Sequence, residues 1–210
     1  MNGAIPMTPE DYRFIRQLRE ARALDDFRPE RIRSQDGDCV IGVFCSDGHR
    51  FNDKYGFLHD CGCEKHIHVI TRNGGSLVLP EQSPLATKQR GGLVIHKDMD
   101  LLDEIEESCR IKRTGTIISF AHLACAKARS AGLDASEVTR LHIAAKDRLR
   151  EELPGRRISC LIHVDYIGHD RCEHERRFAT YFLNRNNLAA WSRAVGHREH
   201  PALAELLQAA

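Results

Sequence analysis

Four short stretches of the chain are rich in apolar and β-branched residues. They are Val40-Ile41-Gly42-Val43-Phe44, His66-Ile67-His68-Val69-Ile70, Thr116-Ile117-Ile118-Ser119-Phe120 and the run from Ile158 to Ile167. Runs of this length read as buried strands, and they predict strands over about 39–45, 66–70, 116–121 and 158–167. Between them the apolar positions switch to helical spacing. Thr8-Pro9-Glu10-Asp11 is a helix start with Thr8 as N-cap, predicting a helix to about Leu24 with Phe14, Ile15 and Leu18 on its apolar side. Asp98 begins a second helix, in which Met99, Leu102, Ile105 and Cys109 recur at helical spacing, and a short Ala-rich helix follows Cys125 and ends at Gly132. Asp134-Ala-Ser-Glu137 is a capping box. It opens a helix with Val138, Leu141, Ala145 and Leu149 on one face, stopped by Pro154-Gly155. The segment 76–97 has little periodicity of either kind and reads as an insertion or rim loop. The tail after 170 reads as helix in two pieces, interrupted at 184–187.

Strands separated by helical crossovers imply an α/β fold. The expectation is a mainly parallel central sheet of about four to five strands flanked by helices, in a single domain. Its parts would be an N-terminal helical arm at about 8–24, a core at about 35–167 and a helical C-terminal tail at about 170–210. A chain of 210 residues suits one sizeable core.

Composition narrows the function classes. The 31 basic and 30 acidic side chains leave no global field to draw in nucleic acid or an anionic membrane. No apolar stretch is long enough to span a bilayer, and the first residues lack the basic-then-apolar pattern of a signal peptide. Eight Cys without a secretory signal fit reduced thiols and metal ligands better than a disulfide framework. A cytoplasmic metalloprotein is the expectation.

Candidate chemistry sits where two of the strands end. Cys45-Ser46-Asp47-Gly48-His49-Arg50 follows the first strand and His122-Leu123-Ala124-Cys125 the third. In an open α/β sheet these carboxyl ends form the rim where ligands bind. Two thiolates and one imidazole are a donor set for Zn²⁺, with Asp47 able to fill or guard a fourth position.

The order strand, C-x-D, strand, V-x-R-N-x-G, helix, strand, H-x-x-C resembles the β-class carbonic anhydrases, α/β zinc enzymes that interconvert CO₂ and bicarbonate. Here Cys45-Ser46-Asp47 is similar to the first motif. Val69-Ile70-Thr71-Arg72-Asn73-Gly74-Gly75 is similar to the second with one residue extra before Arg72, and Ile117 to Cys125 to the third. The similarity covers about residues 35–167. It implies a zinc lyase in which Cys45, His122 and Cys125 hold Zn²⁺ and zinc-bound hydroxide attacks CO₂. Asp47 would either ligate the metal or swing away to an arginine and accept a hydrogen bond from the zinc-bound water. It also implies a homodimer or higher homo-oligomer, since the N-terminal helix of that family commonly crosses onto a partner subunit.

Two departures stand out. C-x-D-x-R would place Arg at position 49, where this chain has His49 followed by Arg50, so either Arg50 partners Asp47 through a longer loop or His49 takes the part. The Gly that commonly follows H-x-x-C is Ala126. The same site would also serve a hydrolase of carbonyl sulfide or carbon disulfide, and a non-catalytic zinc-binding protein of the same fold is the reading from another class.

Other candidates carry plainer readings. Cys61 and Cys63, with His59, His66 and His68 nearby, are either a second metal site or an unliganded loop. His163, His169, Cys172 and His174 are either accessory to the rim or ordinary loop residues. Arg72 and Asn73 would bind an anion or tie the rim loop to a carboxylate. Trp191 reads as core or interface.

Overall fold

A computed structural model of the chain describes residues 7–26, 32, 39–47, 54–56, 58, 66–166, 178–196 and 199–208. In chain order the elements are α1 (Pro9–Glu20), β1 (Leu24–Asp26), β2 (Cys39–Cys45), β3 (His66–Arg72), a 3₁₀ turn (Gly75–Val78), β4 (Thr87–Arg90), β5 (Leu93–His96), α2 (Lys97–Lys112), β6 (Thr116–His122), α3 (Ala126–Ser130), α4 (Ala135–Glu152), β7 (Arg157–Asp165), β8 (Phe178–Leu183), α5 (Arg185–Trp191), a π turn (Ser192–Gly196) and α6 (Pro201–Gln208).

The main sheet has six strands in the order β1-β8-β7-β6-β2-β3. The four central pairings that matter for the rim are β3 with β2, β2 with β6, and β6 with β7, all parallel, followed by antiparallel β8 on β7; β1 lies antiparallel on β8. The protein is thus α/β with a mostly parallel sheet flanked by helices. Strand β2 has β3 on one side and β6 on the other. The chain therefore moves outward one way from β2 to β3, then crosses over to build β6 and β7 on the other side. That reversal leaves a crevice above the carboxyl ends of β2 and β6.

Both faces of the sheet are covered. On one side Ile41, Val43, Ile117 and Ile162 join the helix residues Leu18, Leu101, Ile105, Leu141 and Leu149 in one cluster. On the other, Val40, Phe44, Ile118, Phe120 and Leu161 form a second cluster, with Phe44 and Phe120 stacked at 4.5 Å. Burial on both faces explains why β2 and β6 are apolar without alternation.

Several expectations are corrected. Helix α1 has the expected cap, with Thr8 Oγ1 accepting from the Asp11 N–H at 3.2 Å and Asp11 Oδ2 accepting from the Thr8 N–H at 2.8 Å. It stops at Glu20 rather than Leu24, because Arg22 turns left-handed and Leu24–Asp26 pairs with β8. Its apolar face packs on its own chain, Phe14 meeting Trp191 edge-on at 5.8 Å. Trp191 is core. In α2, Leu101 is buried and Met99 exposed, a rotation of the face read from the sequence. At α4 only half the capping box forms: Asp134 Oδ1 accepts from the Glu137 N–H at 2.8 Å, while the Glu137 carboxylate takes Arg140 instead. The segment 76–97 is a 3₁₀ turn and a β-hairpin rather than a structureless loop, and the first helical piece of the tail is replaced by strand β8.

The fully buried His142 on α4 meets Ser76 Oγ through Nδ1 at 3.0 Å. Burial, with Lys146 adding its charge, pushes His142 down from 6.5 to about 3. A depressed histidine is neutral when folded and protonates on unfolding in acid, so its contribution is complete above pH 6.5 and is lost as pH falls from there toward 3. His142→Asn keeps a polar partner for Ser76 without that proton. Thermal melts from pH 7 to 4 should show a flatter acid limb for the variant; parallel limbs would remove His142 as the cause.

Candidate metal centre

Cys45 is the last residue of β2 and His122 the last of β6, the two adjacent strands that flank the crevice. The third residue arrives by a short, defined path. After His122 the Leu123 N–H bonds the His163 carbonyl at 2.9 Å, adding one more rung to the β6–β7 ladder. Ala124 then turns the chain in the left-handed region at φ 65°, and Cys125 caps α3. The two residues between His122 and Cys125 are spent on one rung and one turn, which brings the second sulfur back over the end of β2.

A left-handed alanine is strained by its Cβ. Ala124→Gly should be close to neutral, since relief of strain offsets lost packing and backbone entropy. Ala124→Val should cost roughly 2 kcal/mol or more, because a β-branched side chain fits that region worst. Thermal unfolding of the two variants gives the comparison, and equal stability would mean that the turn relaxes freely.

Cys45, His122 and Cys125 bring one ligand atom each within 4.8 Å of one another. All three are buried, at 3%, 2% and 2% exposure. The two sulfurs stand 3.8 Å apart, and both cysteines are free thiols. That spacing is far longer than a disulfide. Two thiolates bound tetrahedrally to one Zn²⁺ at about 2.3 Å would lie ~3.8 Å apart. Neither nitrogen of His122 has a well-formed hydrogen bond among the described residues. A buried imidazole with both nitrogens unsatisfied is costly unless something else binds it. The donor set and its spacing fit a zinc ion.

Charge at the pair follows from its neighbours. The Cys125 thiol donates toward Cys45 Sγ, the His122 ring lies beside it, and the Gly74 N–H donates to it at 3.4 Å; against burial, these hold Cys45 well below the usual thiol range. The same hydrogen bond, with burial and the charge on Cys45, pushes Cys125 up. Cys45 is thus the more acidic sulfur of the pair, and binding a divalent cation would release the thiol protons that remain.

Two glycines complete the cradle. Gly74, at φ 96°, aims its N–H at Cys45 Sγ. At Gly75, φ 57°, a Cβ would stand 2.8 Å from the backbone nitrogen of Cys45, so the turn after β3 rests directly on the end of β2. Sequence reasoning read Gly74 and Gly75 as part of the second motif and missed this role. The signal available was the glycine pair itself.

The remaining candidates separate clearly. Asp47 lies two residues past Cys45, half-buried, and its carboxylate is not among the atoms grouped within 4.8 Å. His49 and Arg50 lie outside the described residues, as do His59, Cys61, Cys63, His169, Cys172 and His174. Arg72 pairs with Glu104 on α2, which is the carboxylate tie rather than an anion site. His66 and His68 stand on the edge strand β3. His163 is buried in register with His122, its Nδ1 2.9 Å from Thr180 Oγ1. Ala126 begins α3 with its side chain exposed, so the position tolerates a Cβ.

Asp11 steadies this loop from behind. Its buried carboxylate accepts the Thr8 and Ala135 N–H groups at 2.8 and 2.9 Å and pairs with Arg129 of α3. A cleft lined by Asp11, Ala124, Cys125, Arg129 and Asp134 lies between them.

No helix among the described residues is long and apolar enough to cross a membrane. Comparison with models of protein families, with curated proteins and with solved structures finds no match to this chain.

Proposed function

We propose that the Cys45–His122–Cys125 cluster is a catalytic zinc centre and that the chain is a zinc lyase hydrating CO₂ to bicarbonate, of the β-class carbonic anhydrase kind. The observation that carries this reading is the position and spacing of the cluster: two sulfurs 3.8 Å apart and an unsatisfied buried imidazole, at the reversal point of a parallel sheet. Its support from the sequence is the order of the three motifs on three neighbouring strands.

Each residue has a task under this reading. Cys45, His122 and Cys125 hold the metal, and their burial excludes bulk water from its protein side. The Gly74 N–H steadies the charge on Cys45 Sγ. When bound, zinc supplies Lewis-acid activation of water near neutral pH. Three protein donors leave the fourth position open, and a carboxylate outside the donor cluster would serve the proton rather than the metal. Asp47 has that role. Arg50 is its partner, since a guanidinium stays charged at every working pH and pairs bidentately with a carboxylate; His49 is the alternative at the loop. Free thiols at the site fit a reducing, cytoplasmic setting.

Stopped-flow CO₂ hydration on zinc-loaded protein, with carbonyl sulfide run in parallel, tests the assignment. Hydration that depends on zinc is the expected result. Turnover of carbonyl sulfide alone would move the substrate, and no turnover of either with zinc bound would make the centre structural.

A further inference from the structure

The hairpin of β4 and β5 stands off the body with every one of its eight strand residues exposed. It forms its own two-stranded sheet, and such a ribbon is marginal in water unless something covers it. The register puts Arg90 opposite Leu93 and Lys88 opposite Ile95. Cross-strand partners share a face, so one side of the ribbon carries two bases and two apolar side chains, Leu93 being 71% exposed.

The complementary surface is on the same chain but faces outward. The exposed side of α2 carries Asp100, Asp103, Glu106 and Glu107, the last paired with Arg110 at 3.7 Å on the same side, so the face is acidic on balance; the exposed Met99 and Ile111 bracket it. The hairpin runs directly into the N-terminus of α2 while all eight of its strand residues stay exposed.

We propose that the hairpin docks on the acidic face of α2 of a second copy of this chain. Two antiparallel α2 helices about a two-fold place each basic hairpin on the other's acidic helix, a self-complementary contact made twice. The two-fold halves the demand on each contact: about 600 Å² apiece reaches the ~1,200 Å² of a specific interface. The association is electrostatic in orientation and apolar at its centre, and it weakens with salt. It leaves α1 on its own body and does not depend on the zinc reading, since none of these residues belongs to the metal centre.

Charge reversal tests it. One full-length variant carries Lys88→Glu and Arg90→Glu; the other carries Asp103→Lys and Glu106→Lys. Each alone opposes like charges at both contacts, whereas a mixture of the two restores opposite charges at both. The parent at tens of micromolar should sediment at twice the 23.8 kDa of one chain. Each variant alone should sediment as monomer and the mixture as heterodimer, with circular dichroism and zinc content unchanged throughout. A monomeric parent, a dimer that survives in either variant, or a mixture that stays monomeric would overturn the proposal. So would a monomeric parent that binds phosphatidylserine vesicles through the hairpin, which would make the basic face a membrane surface.

Discussion

Serine at Cys45 or at Cys125 should take the chain from about one zinc to about one-tenth or less, and alanine at His122 should do the same. The expectation follows from geometry. The three side chains are buried together and have no other close donor in their group among the described residues, so losing one leaves two of its three donors. A serine hydroxyl stays protonated where a thiolate would bind, so the loss should be nearly complete rather than graded. Metal analysis after dialysis measures it. Full zinc retention in both Cys variants would place the metal elsewhere, for instance among the His and Cys residues outside the described segments. A matching loss at Cys39, Cys109 or Cys160, which lie away from the cluster, would point to general unfolding.

Asp47→Asn should leave zinc bound and lower CO₂ hydration by about 10²-fold or more, the scale of a positioned acid–base group. The separation of the two readouts is what matters. Asp47 follows Cys45 closely but its carboxylate lies outside the donor cluster, so the amide should spare the metal and remove the proton carrier. An unchanged rate would end the assigned role. Zinc loss in this variant would instead make Asp47 a ligand. Arg50→Ala should be far more damaging than His49→Ala if the loop carries one extra residue; the reverse ranking would make His49 the partner.

How much of this was legible in the sequence depended on whether a feature leaves a mark in side-chain letters. Strands β2 and β6 are covered on both faces, and unbroken apolar runs ending in Cys45 and before His122 announced them. The ligands were readable because Cys45 and His122 end their strands and Cys125 follows three residues after the second. Strand β8 was not, because Phe178-Ala-Thr-Tyr-Phe-Leu183 becomes a strand only through its non-local pairings with β7 and β1. The hairpin was hidden for the opposite reason. Its eight strand residues are all exposed, so burial imposes no pattern on them. The Gly91-Gly92 link, with both residues at positive φ, was the missed turn signal. The part played by Gly74 was illegible because a backbone N–H has no letter; only the turn after β3 aims it at Cys45.

X-ray absorption at the zinc edge of the loaded protein tests the central claim most directly. The account predicts two sulfurs at about 2.3 Å, one imidazole nitrogen at about 2.0–2.1 Å and one further oxygen from water. Four protein donors with three or more sulfurs, or a shell of nitrogen and oxygen alone, would contradict it.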